Sequence, residues 1–259
     1  MTWQFRTPPA RPRDPHVVMF VFGAGPPPAD LAVPAGALRS CRVQRIGRAQ
    51  DPAWFDAWRS GSLRAIAKQD LGELAALDAA DQVHVVACEP TAVTDLGYLE
   101  GAWAVVRALT EAGATVVLDA LAMSYTPAAA VPAAGAALDV AREIRVIFET
   151  DSTRSDRAHA LHTRGLRKFG APDLVALCTD ADVELVGAAI RELAEEVACG
   201  LDLALPRHAL EIAPGVRWVA IEDEHRIGEL LQLNNEARVL VDDHGHNLMG
   251  VAARAPAPR

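Results

Sequence analysis

Two apolar stripes at helical spacing, each preceded by a short apolar run, constrain this chain more than any other feature. Leu96, Leu99, Trp103, Val106 and Leu109 recur three or four residues apart, which sets them on one face of a helix. Val186, Ile190, Leu193 and Val197 repeat the pattern. The runs at 83–88 and 173–178 are too short for helices and apolar almost throughout, as strands covered on both faces are. The caps agree with this register. Thr94 and Asp95 can start the first helix and Gly113 can end it, while Thr179 and Asp180 start the second, Asp182 and Glu184 complement its dipole, and Gly200 closes it.

The remaining elements follow from the same rules. Residues 17–22 and 41–46 read as strands, and Asp51-Pro52 starts a helix bearing Trp54, Phe55 and Trp58 on one face. Gly61 bends or ends that helix, and Leu71, Leu74 and Leu77 mark another. Strands are expected at 115–121, 144–148, 208–221, 237–243 and 247–252, with a tight turn at 243–246. The fold class is therefore α+β, a mixed β-sheet with helices packed on it. The recurring order of strand, cysteine, cap and helix leaves two similar βα-containing halves open as an alternative to a single domain. The expected division is a disordered arm at 1–15, an N-terminal half at 16–125, an Ala/Pro-rich loop at 126–139, a C-terminal half at 140–253 and a disordered tail at 254–259.

The formal net charge of −9 argues against duplex binding, which needs a surplus of Lys and Arg on one face. Hydrophobic residues make up 51% of the chain, enough for a real core. Cys41, Cys88, Cys178 and Cys199 are far apart in apolar surroundings, so four buried thiols are expected rather than a zinc site or a disulfide framework. Arg6, Arg11 and Arg13 before the apolar run at 17–22 imitate a signal peptide, but the run is too short for one. No stretch approaches the roughly 18 apolar residues of a membrane span. A cytoplasmic protein without membrane contact is the expectation.

Candidate chemistry is sparse. Gly23-x-Gly25 follows a strand, but the third glycine of a dinucleotide fingerprint is missing and Pro26, Pro27 and Pro28 remove the N–H donors that a phosphate needs. Neither a P-loop nor a nucleophile elbow occurs, and no cofactor is expected. Arg154, Arg157, Arg164 and Arg167, with His162, form a basic cluster that could hold an anionic group through bidentate guanidinium contacts; neutralisation by Asp151, Asp156 and solvent is the competing reading. Gly165 and Gly170 bracket Leu166 and Phe169, spaced as one helical turn packed on a sheet. His225, Glu229, His244 and His246 are metal-ligand types without a recognised spacing, and exposed turn histidines are the simpler reading.

The segment carrying Thr163, Gly165, Leu166, Phe169, Gly170, Pro172, Asp173 and Leu174 fits a T-x-G-[LM]-x-x-F-G-x-P-[ED]-L pattern. Together with the order of elements around it, it resembles a broad bacterial family catalogued as a domain of unknown function. That resemblance covers about the last two-thirds of the chain; it implies an α+β fold and carries no catalytic residue across. Two functions of different class follow. One is a non-enzymatic binding or interaction module with a protein partner and no nucleic acid. The other is a small hydrolase or transferase acting on an anionic substrate, with His162, Arg164 and Arg167 holding the anion and His225 or His244 as base.

Overall fold

A strand that is apolar at every position has to be covered on both faces, and residues 17–22 meet that condition at the centre of a five-stranded sheet. The computed structural model describes residues 3–23, 41–150, 159–203, 207–213, 216–246 and 248. Arg154, Arg157, the prolines at 26–28, most of the expected strand at 247–252 and the 254–259 tail lie outside them. The chain divides into two compact units.

Unit 1 comprises Met1–Phe5, Arg11–Asp139 and Lys168–Gly170. Its elements are β1 (Val17–Gly23), β2 (Cys41–Gly47), α1 (Pro52–Ala57), α2 (Gly61–Leu71), α3 (Ala75–Asp78), β3 (Gln82–Cys88), α4 (Gly97–Glu111), β4 (Ala114–Asp119) and β5 (Ser124–Pro127). The strand order is β2-β3-β1-β4-β5, and each neighbouring pair is antiparallel. Side chains alternate across a strand, so β1 feeds two cores. Phe20 and Phe22 pack with Phe55, Leu77, Val83 and Leu118 from one side. Met19 and Val21 are fully buried on the other, where α4 lies. The five stripe residues from Leu96 to Leu109 are all buried. Because α4 joins β3 to β4, and both run antiparallel to the intervening β1, the crossover spans a split pair of parallel strands.

The cysteine expectation is corrected here. The register of β2 on β3 sets Cys41 directly opposite Cys88, and the two form a disulfide with a Cα–Cα distance of 4.3 Å. Two cysteines 47 residues apart give no hint of this until the strands are paired. Cys178 and Cys199 are the buried free thiols. Residues 3–15 also differ from the mobile arm expected. Trp3 and Phe5 are buried, Trp3 Nε1 donates to Ala136 O at 2.9 Å, and Arg13 and Val93 exchange backbone hydrogen bonds. Lys168 is fully buried and paired with Asp119, whose Oδ1 accepts from the N–H groups of Leu121 at 2.9 Å and Ala122 at 3.0 Å.

Unit 2 comprises Arg6–Ala10, Val140–Arg167 and Ala171–Arg259. Its elements are α5 (Val140–Glu143), β6 (Arg145–Thr150), β7 (His159–Arg164), β8 (Asp173–Cys178), α6 (Val183–Ala198), β9 (Arg207–Ala213), β10 (Val216–Glu222), α7 (Ile227–Leu230) and β11 (Ala237–Asp242). The order is β6-β7-β8-β11-β10-β9, parallel only between β8 and β11. The two sheets thus differ in order and pairing. The single strand expected at 208–221 is a hairpin of β9 and β10. The α6 stripe of Val186, Ile190, Leu193 and Val197 is buried as its spacing requires. Gly200, at φ +118°, lies where an added Cβ would come within 1.7 Å of Thr7 O, and Thr7 N donates to Cys199 O at 2.9 Å. No helix among the described residues is long and apolar enough to cross a membrane.

The cross-strand disulfide closes a loop of 47 residues that contains α1, α2 and α3. Replacing Cys41 and Cys88 together by serine should lower the unfolding free energy by about 4 kcal/mol, on a loop-entropy account. Urea unfolding of the oxidised protein and the double variant measures it; coincident midpoints would contradict the linkage.

Candidate functional site

Among the described residues of the basic segment, His162 and Arg164 are buried, and Arg167 is exposed with a donor on a backbone carbonyl. Gly165, at φ +109°, ends β7, and the chain makes a 3-10 turn at Leu166–Phe169 before β8. Asp173, fully buried at the start of β8, organises this corner. Its Oδ1 accepts from Thr163 Oγ1 at 2.9 Å and from Leu166 N at 3.3 Å, and its Oδ2 accepts from Asn235 Nδ2 at 2.9 Å. Asn235 Nδ2 also donates to Ala171 O at 2.9 Å. Thr163 Oγ1 in turn accepts from Leu174 N at 2.8 Å. Burial pushes the Asp173 carboxyl up to about 6, against the hydrogen bonds of Asn235, Thr163 and Leu166 N and the charge of Arg164, which all pull it down.

The same corner holds the segment at 231–236. Arg164 Nη2 donates to Leu231 O and Gln232 O, each at 3.1 Å. Arg167 Nη1 donates to Asn234 O, and Asp173 N donates to Glu236 O at 2.8 Å. Four backbone carbonyls are thereby satisfied from β7, β8 and the turn between them. The Arg164 guanidinium is buried, and that burial pulls its pKa below the usual range. His162 is fully buried, its Nε2 3.1 Å from Glu149 Oε1. Burial lowers the His162 pKa, Glu149 opposing and Arg164 reinforcing the effect. His162, Arg164 and Arg167 are therefore brought together as the sequence suggests, but with donors pointed at carbonyls and a carboxylate rather than at an open anion pocket.

The segment so held borders an open cleft. Asp223 begins α7 by accepting from Ile227 N at 2.8 Å and Gly228 N at 2.6 Å. Arg226 adopts the left-handed conformation at φ +55° and its Nε donates to Glu229 Oε1 at 2.7 Å. Gly228 lies against the loop side of β11, where an added Cβ would stand 3.0 Å from Ala237 Cβ. Beside α7 lies a cavity of about 560 Å³, floored by Ile221, Ile227, Val239 and Val241 and rimmed by Glu222, Asp223, Glu224, His225 and His246. Among the described residues neither Lys nor Arg lines it. A second cavity of about 440 Å³ shares Glu222, Asp223 and Glu224 and adds Arg226, Leu233, Asn235, Glu236 and Arg238, the last directly opposite Glu222 in the ladder. Asp223 is engaged as a cap, while Glu222 and Glu224 make no ion pair among the described residues.

The metal-ligand candidates separate by role. Glu229 is paired with Arg226, His225 lines the larger cavity, and the His244 and His246 rings stand 6.2 Å apart in the turn after β11. Asp242 Oδ1 accepts the N–H groups of His244 at 3.0 Å and His246 at 2.8 Å, which makes this corner an Asx-type turn. Among the described residues no group of three or more His, Cys, Asp and Glu is placed to hold a metal ion. Sequence reasoning missed the rim at 222–224 and the role of Asp173. The acidic run Glu222-Asp223-Glu224 was visible, but its alignment over an aliphatic floor depends on the β10 to β11 register.

Fold and site together define a two-unit α+β protein with an acid-rimmed, aliphatic-floored cleft in its second unit. Neither a family model, nor a curated protein, nor a solved structure matches the chain.

Asp173 gives this site a pH signature. A carboxyl raised from 3.8 to about 6 in the folded state holds its proton longer than the unfolded chain does. Stability from this group is therefore fully present below about pH 4 and is lost as pH rises toward 6. At about 1.4 kcal/mol per pH unit the loss is up to about 3 kcal/mol. Urea midpoints of the native protein and Asp173→Asn, compared from pH 4 to 7, should diverge over that interval; parallel profiles would show that Asp173 titrates normally.

Proposed function

We propose that the protein is a non-enzymatic binding module whose cleft takes a basic, amphipathic partner segment, with an aliphatic side chain next to Lys or Arg. The observation that carries this reading is the 560 Å³ cavity, with Ile221, Ile227, Val239 and Val241 below and carboxylates above. Its volume falls within the range of ordinary ligand clefts, which are mostly apolar with a few polar groups fixing orientation. An aliphatic group of the partner covers the floor, and its cation meets Glu222 and Glu224 at the rim. The net charge of −9 adds long-range attraction for a cationic partner. A protein partner fits this chemistry better than nucleic acid, whose phosphates the rim would repel.

The alternative reading, an enzyme acting on an anionic substrate, needs Arg164, Arg167 and His162 to face a ligand. The two arginines instead donate to Leu231 O, Gln232 O and Asn234 O, and His162 sits against Glu149. That engagement weighs toward the binding module.

Calorimetric titration with a short peptide of alternating Leu and Lys, against the same peptide with Glu in place of Lys, tests the proposal. The basic peptide should bind and the acidic one should not. Replacing Glu222 and Glu224 together by Gln should weaken binding about twofold to thirtyfold, because exposed pairs contribute about 0.2–1 kcal/mol each. Equal affinity for both peptides, or no effect of the double substitution, would sink the cleft assignment.

A further inference from the structure

Strand β6 stands at one end of the strand order in its unit, and among the described residues it pairs only with β7. An edge strand presents unpaired backbone groups, and proteins commonly blunt it with proline, lysine or brevity. The six residues of β6, RVIFET, contain neither proline nor lysine. They carry three consecutive apolar side chains, and Phe148 is 48% exposed while its ring rests 4.7 Å from the His159 imidazole. Val146 and Phe148 share the α6 side of the sheet: Phe148 is paired with Leu161, which packs at Gly187, and Val146 lines a cavity with Ala194. Arg145, Ile147 and Glu149 occupy the other face, where Glu149 meets His162.

We propose that β6 pairs antiparallel with β6 of a second copy of this chain, about a two-fold axis through Ile147, joining the two unit 2 sheets edge to edge. The strand is self-complementary in that register. Arg145 of each copy falls opposite Glu149 of the other, Val146 falls opposite Phe148, and Ile147 faces itself. Shifting the axis by one residue in either direction sets Ile147 opposite Arg145 or Glu149 and loses both matches. Opposite charges and apolar pairs set directly across an antiparallel ladder stabilise it, and like charges destabilise it. A two-fold contact repeats each pair off the axis twice, so one favourable match there counts double. The exposed Phe148 ring, together with the ladder groups of β6, is what the second copy covers. This contact lies apart from the acidic cleft and does not depend on its ligand.

Sedimentation velocity over a concentration series tests the proposal. The native chain should move from monomer to dimer as concentration rises. Glu149→Arg places like charges opposite each other twice and should weaken the dimer about tenfold or more. The swap Arg145→Glu with Glu149→Arg should restore it. Restoration also separates the interface from local damage at His162, since both variants carry arginine at 149. Ile147→Cys should cross-link to its counterpart on mild oxidation, because directly opposed Cα atoms in such a pair lie about 4.5–5.5 Å apart. A monomer at every concentration, a dimer indifferent to Glu149→Arg, a swap that fails to restore it, or no cross-link at 147 would each overturn the assignment.

Discussion

Unit 2 depends on a carboxyl group that is buried with no ion pair among the described residues. Asp173 gathers Thr163, Leu166 N and Asn235 around two oxygens, and its own N–H reaches Glu236 O. Those partners come from three stretches of chain: β7, the turn after it, and the segment before β11. A buried acceptor must be satisfied or it costs more than its hydrogen bonds return. The four groups are therefore fixed relative to one another, and the parallel β8–β11 pair starts from that point. Arg164 and Arg167 extend the arrangement by satisfying carbonyls at 231, 232 and 234. A segment that would otherwise expose its backbone becomes a wall of the 440 Å³ cavity, which shares Glu222, Asp223 and Glu224 with the larger cleft beside α7. Preorganising a wall lowers the ordering cost of binding, which connects the polar corner to the function proposed for the cleft.

Unit 1 solves a similar problem with different chemistry. Its sheet is antiparallel throughout, and its edge strand β2 has mostly exposed side chains that bury little apolar surface. The Cys41–Cys88 bond fastens that strand covalently to β3, which β1 then holds from the other side. At the opposite side of β1, Asp119 ends β4 by accepting two backbone N–H groups and the buried Lys168 ammonium. Removing one member of such a buried pair strands the other without a partner, so the pair behaves as a single structural element.

The periodic parts of the fold were legible. The stripes at 96–109 and 186–197, the glycine stops at 113 and 200 and the apolar run of β1 follow from side-chain spacing alone, and spacing is local. What the sequence concealed depended on pairing across distance. The disulfide needed the β2 register, the cleft needed Ile221 brought beside Val239 and Val241, and the packed residues Trp3 and Phe5 sat in a proline-rich segment whose composition suggested an arm. The basic cluster misdirected in another way. His162, Arg164 and Arg167 were correctly seen as neighbours, but whether a guanidinium faces solvent or a carbonyl is set by the 231–236 segment, about 67 residues further on. Asp173 stood in the T-x-G-[LM]-x-x-F-G-x-P-[ED]-L segment without a role, because one Asp after a proline has no spacing signature; its partners at 163 and 235 give it meaning.

Arg164 clamps the backbone carbonyls of Leu231 and Gln232 and so holds the corner that Asp173 organises. Amide hydrogen exchange of Arg164→Lys tests it most directly, because lysine keeps the positive charge but lacks the planar fork that reaches two carbonyls at once. Exchange should be faster only at residues 231–237 and the amides of α7, with β1 and α4 unchanged. Exchange at 231–237 as slow as in the native chain would contradict it.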